Sequence, residues 1–217
     1  MYVDRIMSRA VVKVTEDTKL THLAGLMRDQ NVRHLPVVRG DDELVGLVTY
    51  RDLQRVGPSP ITTLAVGEVN YLLSKLTAAK VMKTELVTCS PDTLVEDAGF
   101  LMRQRRIGCL PVTQGRRLVG IVTMEDLADF FLDITGCRLP GTTRIAVHLP
   151  DRTGELRKLL GAINEAGGYI ATVISPLHPD ATGMRICIVR YRAEDPQGLD
   201  RRLRELGYDL ITENLPH

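Results

Sequence analysis

The sequence predicts a chain of α/β and α+β class: a β-α-β-β-α unit written twice, then a smaller β-α-β-β-α-β third. Three observations predict it. Two stretches, each roughly fifty residues long, align with one another from Ile6 and from Val81. Inside each, hydrophobic periodicity switches between strand alternation and helical spacing. Beyond residue 143 the pattern changes and no third copy follows.

The copies match residue by residue. Met7 aligns with Met82, Asp17-Thr18 with Asp92-Thr93, and Leu26-Met27 with Leu101-Met102. Leu35-Pro36-Val37 aligns with Leu110-Pro111-Val112. The offset is 75, and falls to 74 after one residue is dropped in the Gly40-Asp41-Asp42 turn. Leu44-Val45-Gly46 then aligns with Leu118-Val119-Gly120, and Thr49 and Asp52 with Thr123 and Asp126.

Each element has a local reason. Val11 to Val14 alternates like a short strand. Asp17 or Thr18 is placed to cap a helix whose apolar residues, Leu20, Leu23, Ala24 and Met27, recur at helical spacing. His34 to Val38 reads as a strand with Pro36 near its start, where a missing N–H is tolerated. A Gly/Asp turn leads to an apolar strand, Leu44 to Val48, and Thr49 opens a helix. A single copy is marginal alone, so the two are expected to bury their sheets together. The expected divisions are residues 1–56, a structured connector at 57–76 with an amphipathic helix after a GPSP loop, and residues 77–135.

The last third, residues 143–217, reads as strand Arg144 to Leu149, turn Asp151 to Glu155, helix Leu156 to Ala166, and strands Tyr169–Pro176 and Gly183–Tyr191. His178 to Gly183 is the expected hairpin loop, and a helix Gln197 to Leu206 leads to a strand Tyr208 to Glu213. That order is the ferredoxin-like arrangement.

Composition narrows the function. Net charge is +1, so no bulk field draws the chain to nucleic acid or anionic membrane. Aromatics are 4% with no Trp, which leaves little to stack on bases. The basic runs at Arg103 to Arg106 and Arg201 to Arg204 read as solvated helix faces. No apolar stretch approaches the ~20 residues of a membrane span. The N-terminus lacks the apolar core of a signal peptide. Cys89, Cys109, Cys137 and Cys187 form no CxxC pair, and the histidines lack zinc-site spacing. A cytoplasmic, non-enzymatic protein without metal or resident cofactor is expected.

The repeated Gly-x-x-Thr-x-x-Asp sits at a strand-to-helix junction in both copies, at Thr49/Asp52 and Thr123/Asp126. Such a helix start favours an anion, and its Thr can donate to a phosphate while the Asp accepts from vicinal hydroxyls. The same pair also suits a cap that merely completes the first turn.

The strands "VRHLPVV" and "IGCLPVT", with the ends "LVGLVTYRDL" and "LVGIVTMEDL", resemble the CBS motif. A tandem pair over residues 1–135 resembles a Bateman module, which implies adenosine compounds in two clefts. AMP, ADP or ATP are the usual occupants, S-adenosylmethionine or NAD the alternatives. The resemblance implies that each cleft combines the Thr and Asp of one copy with strand edges of the other. One would hold Thr123 and Asp126 with Ala10, Val12, Val32, Arg33 and His34; the basic pair would face the phosphates. The other would hold Thr49 and Asp52 with Glu85, Val87, Ile107 and Gly108. Gly108 and Cys109 supply no cation there, although Arg51 stands nearby in sequence, so the Asp126 cleft is expected to be the better nucleotide site.

The stretch "LPDRTGELRKLLGAINEAGGYI" resembles the ACT domain through Asp151, Gly154 and Leu156. That implies side-by-side pairing and an amino acid held over the turn Asp151, Thr153, Gly154, Glu155 and Leu156. The alternative is a domain that only dimerises, with Asp151 as a helix N-cap. The whole order resembles the bacterial acetoin-utilisation CBS–ACT proteins. A regulatory homodimer that senses ligands is the reading. An interaction subunit with vestigial clefts is the alternative. An enzyme of carbon metabolism would need a proton-transfer constellation, and none is evident.

Overall fold

The computed structural model describes residues 1–56, 73, 75–175 and 183–211. It divides into two compact units, Met1–Ala128 and Asp129–His217. The expected connector helix and hairpin loop lie largely outside the described residues.

In the first unit, a short turn of 3-10 helix at Val3–Arg5 precedes α1 (Leu20–Asp29), β1 (His34–Arg39), β2 (Glu43–Thr49) and α2 (Tyr50–Val56). The second copy supplies α3 (Ala78–Val81), α4 (Val95–Arg105), β3 (Cys109–Gln114), β4 (Arg117–Thr123) and α5 (Met124–Ile134). β1 and β2 form an antiparallel hairpin from His34↔Thr49 to Arg39↔Glu43. β3 and β4 repeat it from Cys109↔Thr123 to Gln114↔Arg117. Even the register irregularity recurs, between Val37/Val38 and Val112/Thr113. The hairpins join edge to edge at Glu43↔Arg117, in the symmetric order β1-β2-β4-β3. The two copies thus share one sheet through their edges, where two sheets buried against one another were expected.

Each hairpin covers its own core. In copy one Leu20, Leu23 and Met27 of α1 pack against Leu35, Val37 and Val48. In copy two Ala98 and Met102 of α4 pack against Leu110, Val112 and Val122. Each such large side chain contributes about 1.5–3 kcal/mol when fully buried. Leu47, Cys109 and Ile121, with Val11 and Leu86, form a small cluster drawn from both copies.

Two local expectations change. The strand at Val11 to Val14 reduces to a single parallel bridge, Val14↔Val37. The leading segment is divided: Ser8 bridges Ile121 of the other copy before Val14 returns to its own. Neither contact is long enough for a ladder. Likewise, Asp17 and Thr18 do not cap α1, whose N-cap is Lys19 with no side-chain bond. Thr15, Asp17 and Thr18 bond one another instead, so their oxygens are spent in the turn.

The second unit contains β5 (Thr143–Pro150), α6 (Glu155–Glu165), β6 (Tyr169–Ile174), β7 (Met184–Arg192), α7 (Pro196–Glu205) and β8 (Asp209–Ile211). The sheet order is β6-β7-β5-β8, with every pair antiparallel. This is the expected βαββαβ arrangement. Leu159 and Ile163 of α6 and Leu199 and Leu203 of α7 cover Val147, Leu149, Val189 and Tyr191. The Tyr191 hydroxyl escapes the core by donating to Asp200 Oδ1 at 2.7 Å. No helix among the described residues is long and apolar enough to cross a membrane.

Candidate functional site

Both Thr-x-x-Asp pairs close on themselves. Asp52 Oδ2 accepts from the Thr49 N–H at 3.0 Å and the Thr49 hydroxyl at 2.6 Å. Asp126 Oδ2 accepts from the Thr123 N–H and hydroxyl, each at 2.7 Å. The Thr oxygen accepts the Asp N–H in return, at 3.3 Å in both copies. This is a reciprocal capping box, so the capping account of these residues holds in full. It engages one carboxylate oxygen and leaves the other.

The remaining oxygens differ. Asp52 Oδ1 lies 3.6 Å from Lys83 Nζ, and the Asp52 side chain is only 8% exposed. Asp126 is half-buried, and its Oδ1 has no hydrogen bond or ion pair among the described residues. At the offset of 75, Ser8 occupies the place of Lys83. The copies therefore differ in charge beside the very carboxylate that the repeat preserves.

Crossed leading segments set these neighbours. Ser8 pairs with Ile121, exchanging both backbone hydrogen bonds, at 2.9 and 3.0 Å. Leu47 pairs with Lys83 in the same way. Ala10 thus follows a segment that runs beside β4, and Glu85 one that runs beside β2. The Met of each crossed segment lies over the Gly of the other copy: a Cβ on Gly120 would stand 2.6 Å from Met7 Sδ, and one on Gly46 still closer to Met82 Sδ. Met7, Met82, Ser8 and Lys83 were not among the expected site residues. Their signal was present as a matched and a mismatched pair in the repeat, but alignment reveals equivalence, not adjacency.

Other expected residues fall in mixed surroundings. Val12 and Val32 are half-buried against the first core, and Val87 and Ile107 against the second. Ala10, Arg33, Arg51, Glu85 and Gly108 are exposed. The carbonyls of Arg33 and Gly108 accept the first N–H of α2 and α5, from Tyr50 and Met124. His34 is half-buried and its Nε2 lies against Gly108, 3.4 Å from where a Cβ would stand. Burial lowers its pKa below the ordinary value; Arg33 acts in the same sense, and Asp52 opposes them. No hydrogen bond or ion pair among the described residues joins Arg33 or His34 to Asp126. Beside the crossed segment of copy two, a cleft of about 360 Å³ is lined by Leu44, Val45, Thr84, Leu86 and Arg116, among others. It takes the residues alternate to Glu85 and Val87.

In the second unit, Gly154 is the N-cap of α6, at φ +91° and with no side-chain cap bond. Asp151 therefore does not cap the helix; its Oδ1 forms an ion pair with Arg185 Nη1 at 3.5 Å. Asp151 and Thr153 are exposed, and Gly154, Glu155 and Leu156 half-buried. Burial raises the Cys109 thiol to about 12 and Cys89 to about 11, which makes both poor nucleophiles. Among the described residues no group of three or more His, Cys, Asp or Glu could hold a metal ion.

Comparison with known proteins agrees with this architecture. The CBS domain family model matches residues 3–58 and 78–133, together more than half of the chain. The CBS domain-containing protein YhcV of Bacillus subtilis is 35% identical over 122 residues, 56% of this chain and 79% of its own. A homoserine O-acetyltransferase of Methanohalobium evestigatum is 31% identical over 128 residues, 58% of this chain but only 23% of the enzyme. Among solved structures, a Vibrio cholerae protein ascribed to acetoin utilization, AcuB, covers 64% of this chain and 95% of its own, at 25% identity and a TM-score of 0.54. The CBS domain pair of MJ0100, in complex with 5-methylthioadenosine and S-adenosyl-L-methionine, covers 60% of this chain and 95% of its own, at 26% identity and a TM-score of 0.51. The duplicated unit, its paired hairpins and the family match lead to one statement: the chain belongs to the CBS domain family.

Proposed function

We propose that the protein is a regulatory sensor that binds an adenosine compound, AMP, ADP or ATP first among them, in the CBS pair. The observation that carries this is the Oδ1 of Asp126, which has no hydrogen bond or ion pair among the described residues, beside an intact capping box. A ribose offers two adjacent hydroxyls to such an oxygen. The helix start beside it favours phosphate, with Arg33 as the cation; His34, whose pKa burial holds below its ordinary value, is the weaker partner. MJ0100 holds adenosine compounds in its own CBS pair, which supports the same class here. S-adenosylmethionine shares the ribose and belongs in the same test.

Calorimetric titration of AMP tests the reading. Asp126→Ala should weaken binding about tenfold or more, the loss expected for a charged hydrogen-bond acceptor, while Asp52→Ala changes it little. Equal losses in both variants would sink the unequal-cleft reading. No binding of any adenosine compound would sink the sensor.

For the second unit the proposal is an ACT domain that takes an amino acid over the Asp151–Leu156 turn. Its support is the sheet order, with an uncapped α6 behind Gly154. Self-association as a homodimer is supported by large exposed apolar side chains such as Phe100, at 68%. Residence in the cytoplasm is supported by three buried free thiols. Ligand binding acts by favouring one of two arrangements of the chain.

A further inference from the structure

Two buried side-chain atoms of the second unit, Ser175 Oγ and Arg185 Nε, have no hydrogen-bond partner among the described residues. They lie at one end of one sheet. Arg185 stands on β7 opposite Leu149, two residues from buried Cys187, and so shares the helix-covered face. Ser175 directly follows β6, and the Ile174↔Ile188 register carries it beside Cys187. At this end the chain leaves β5 through Asp151, whose N–H donates to Gly183 O at 3.0 Å. The Arg185 side chain is 21% exposed, and its ion pair with Asp151 is long, at 3.5 Å.

A guanidinium carries five donors in one plane, and leaving buried donors unmet is unfavourable. A carboxylate supplies what is missing. Its two oxygens accept side by side from Nε and one Nη. A neighbouring hydroxyl such as Ser175 adds a third donor. Asp151, 40% exposed, is then left with a charge for a cation.

We propose that Arg185, Ser175 and Asp151 form a zwitterion site: Arg185 and Ser175 take the α-carboxylate of an amino acid, and Asp151 its ammonium. This rests on the amino-acid reading of the adjoining turn and adds the residues that recognise the ligand. Neither Ser175 nor Arg185 belongs to the turn motif.

The test titrates the full chain with the proteinogenic L-amino acids, their decarboxylated amines, and acetate, by thermal shift and calorimetry. An amino acid should bind and its amine should not. Arg185→Met should weaken binding about tenfold or more, as expected for a lost bidentate charged pair. Ser175→Ala should weaken it by a few-fold, and AMP affinity should stay unchanged in both variants. An amino acid bound equally well by Arg185→Met overturns the site but leaves the amino-acid reading. Arg185-dependent binding of acetate with no amino acid bound overturns both the reading and the zwitterion site. If Arg185→Met fails to fold, the amine decides on the unaltered protein: an amine that binds as tightly as its amino acid overturns the proposal.

Discussion

Replacing Lys83 by serine, its counterpart in the first copy, should remove one of the two differences that are proposed to make the Asp52 cleft the weaker. Lys83 Nζ stands 3.6 Å from Asp52 Oδ1, with side-chain exposures of 55% and 8%. At that separation the Coulomb attraction is about 1 kcal/mol in water and about 4–5 at the effective dielectric near a protein surface. Lys83 is more than half in solvent, so the net worth is discounted to about 1–2 kcal/mol. A ribose that binds Asp52 must displace this pair, which corresponds to about 5–30-fold weaker affinity. Lys83→Ser removes that competition and should also cost about 1 kcal/mol of stability in the free protein. The clean assay is calorimetry with AMP in an Asp126→Ala background, where only the Asp52 cleft remains. The double variant should bind about 5–30-fold more tightly than Asp126→Ala alone. Affinity that stays level or falls would refute the reasoning, and a fall would make Lys83 a ligand for phosphate.

Two further outcomes follow from the same unit. Gly120→Ala places a Cβ 2.6 Å from Met7 Sδ and 3.2 Å from the Ser8 carbonyl oxygen. The thioether can move but the bridged backbone cannot, so a loss of about 1–3 kcal/mol is expected, and an unshifted thermal transition would contradict it. His34, whose folded pKa is lowered by burial, makes stability depend on acid. The unfolded chain takes the proton first, so stability is complete above the ordinary histidine value and is lost as pH falls towards the folded one. The denaturation midpoint should drop as pH falls below the ordinary histidine value, about 6.5, and less so in His34→Gln; identical slopes would remove His34 from the account.

Much of the fold was legible because it is written twice. Leu35-Pro36-Val37 and Leu44-Val45-Gly46 became β1 and β2, and their counterparts became β3 and β4. The βαββαβ order of the last third followed from periodicity together with turn and helix-end signals such as Gly167-Gly168. What escaped were features that depend on where the chain goes next. Val11 to Val14 has the alternation of a strand, yet only Val14 pairs, with Val37, while Ser8 just before it pairs with Ile121 of the other copy. Thr18 has a good capping side chain, but Thr15 claims it first. The site was half legible. The Thr-x-x-Asp pairs stood out by repetition, whereas Lys83 acquires meaning only through its bridge to Leu47. The expected inequality of the clefts rested on Arg33 and His34; the structure supplies a separate reason for it in the Lys83–Asp52 pair.

The crossed arms have a consequence for what the covalent link between the copies does. Each copy's hairpin is edged by a stretch that belongs, in sequence, to the other, with methionine over glycine on both sides. Arms traded in this way are what a symmetric pair of separate single-copy chains would exchange on meeting. Joining the two end to end need add no new contact. It replaces an encounter that depends on concentration with one that does not, so the pairing survives dilution. It also frees the two halves to diverge, since a change such as serine to lysine then alters one cleft and spares its twin.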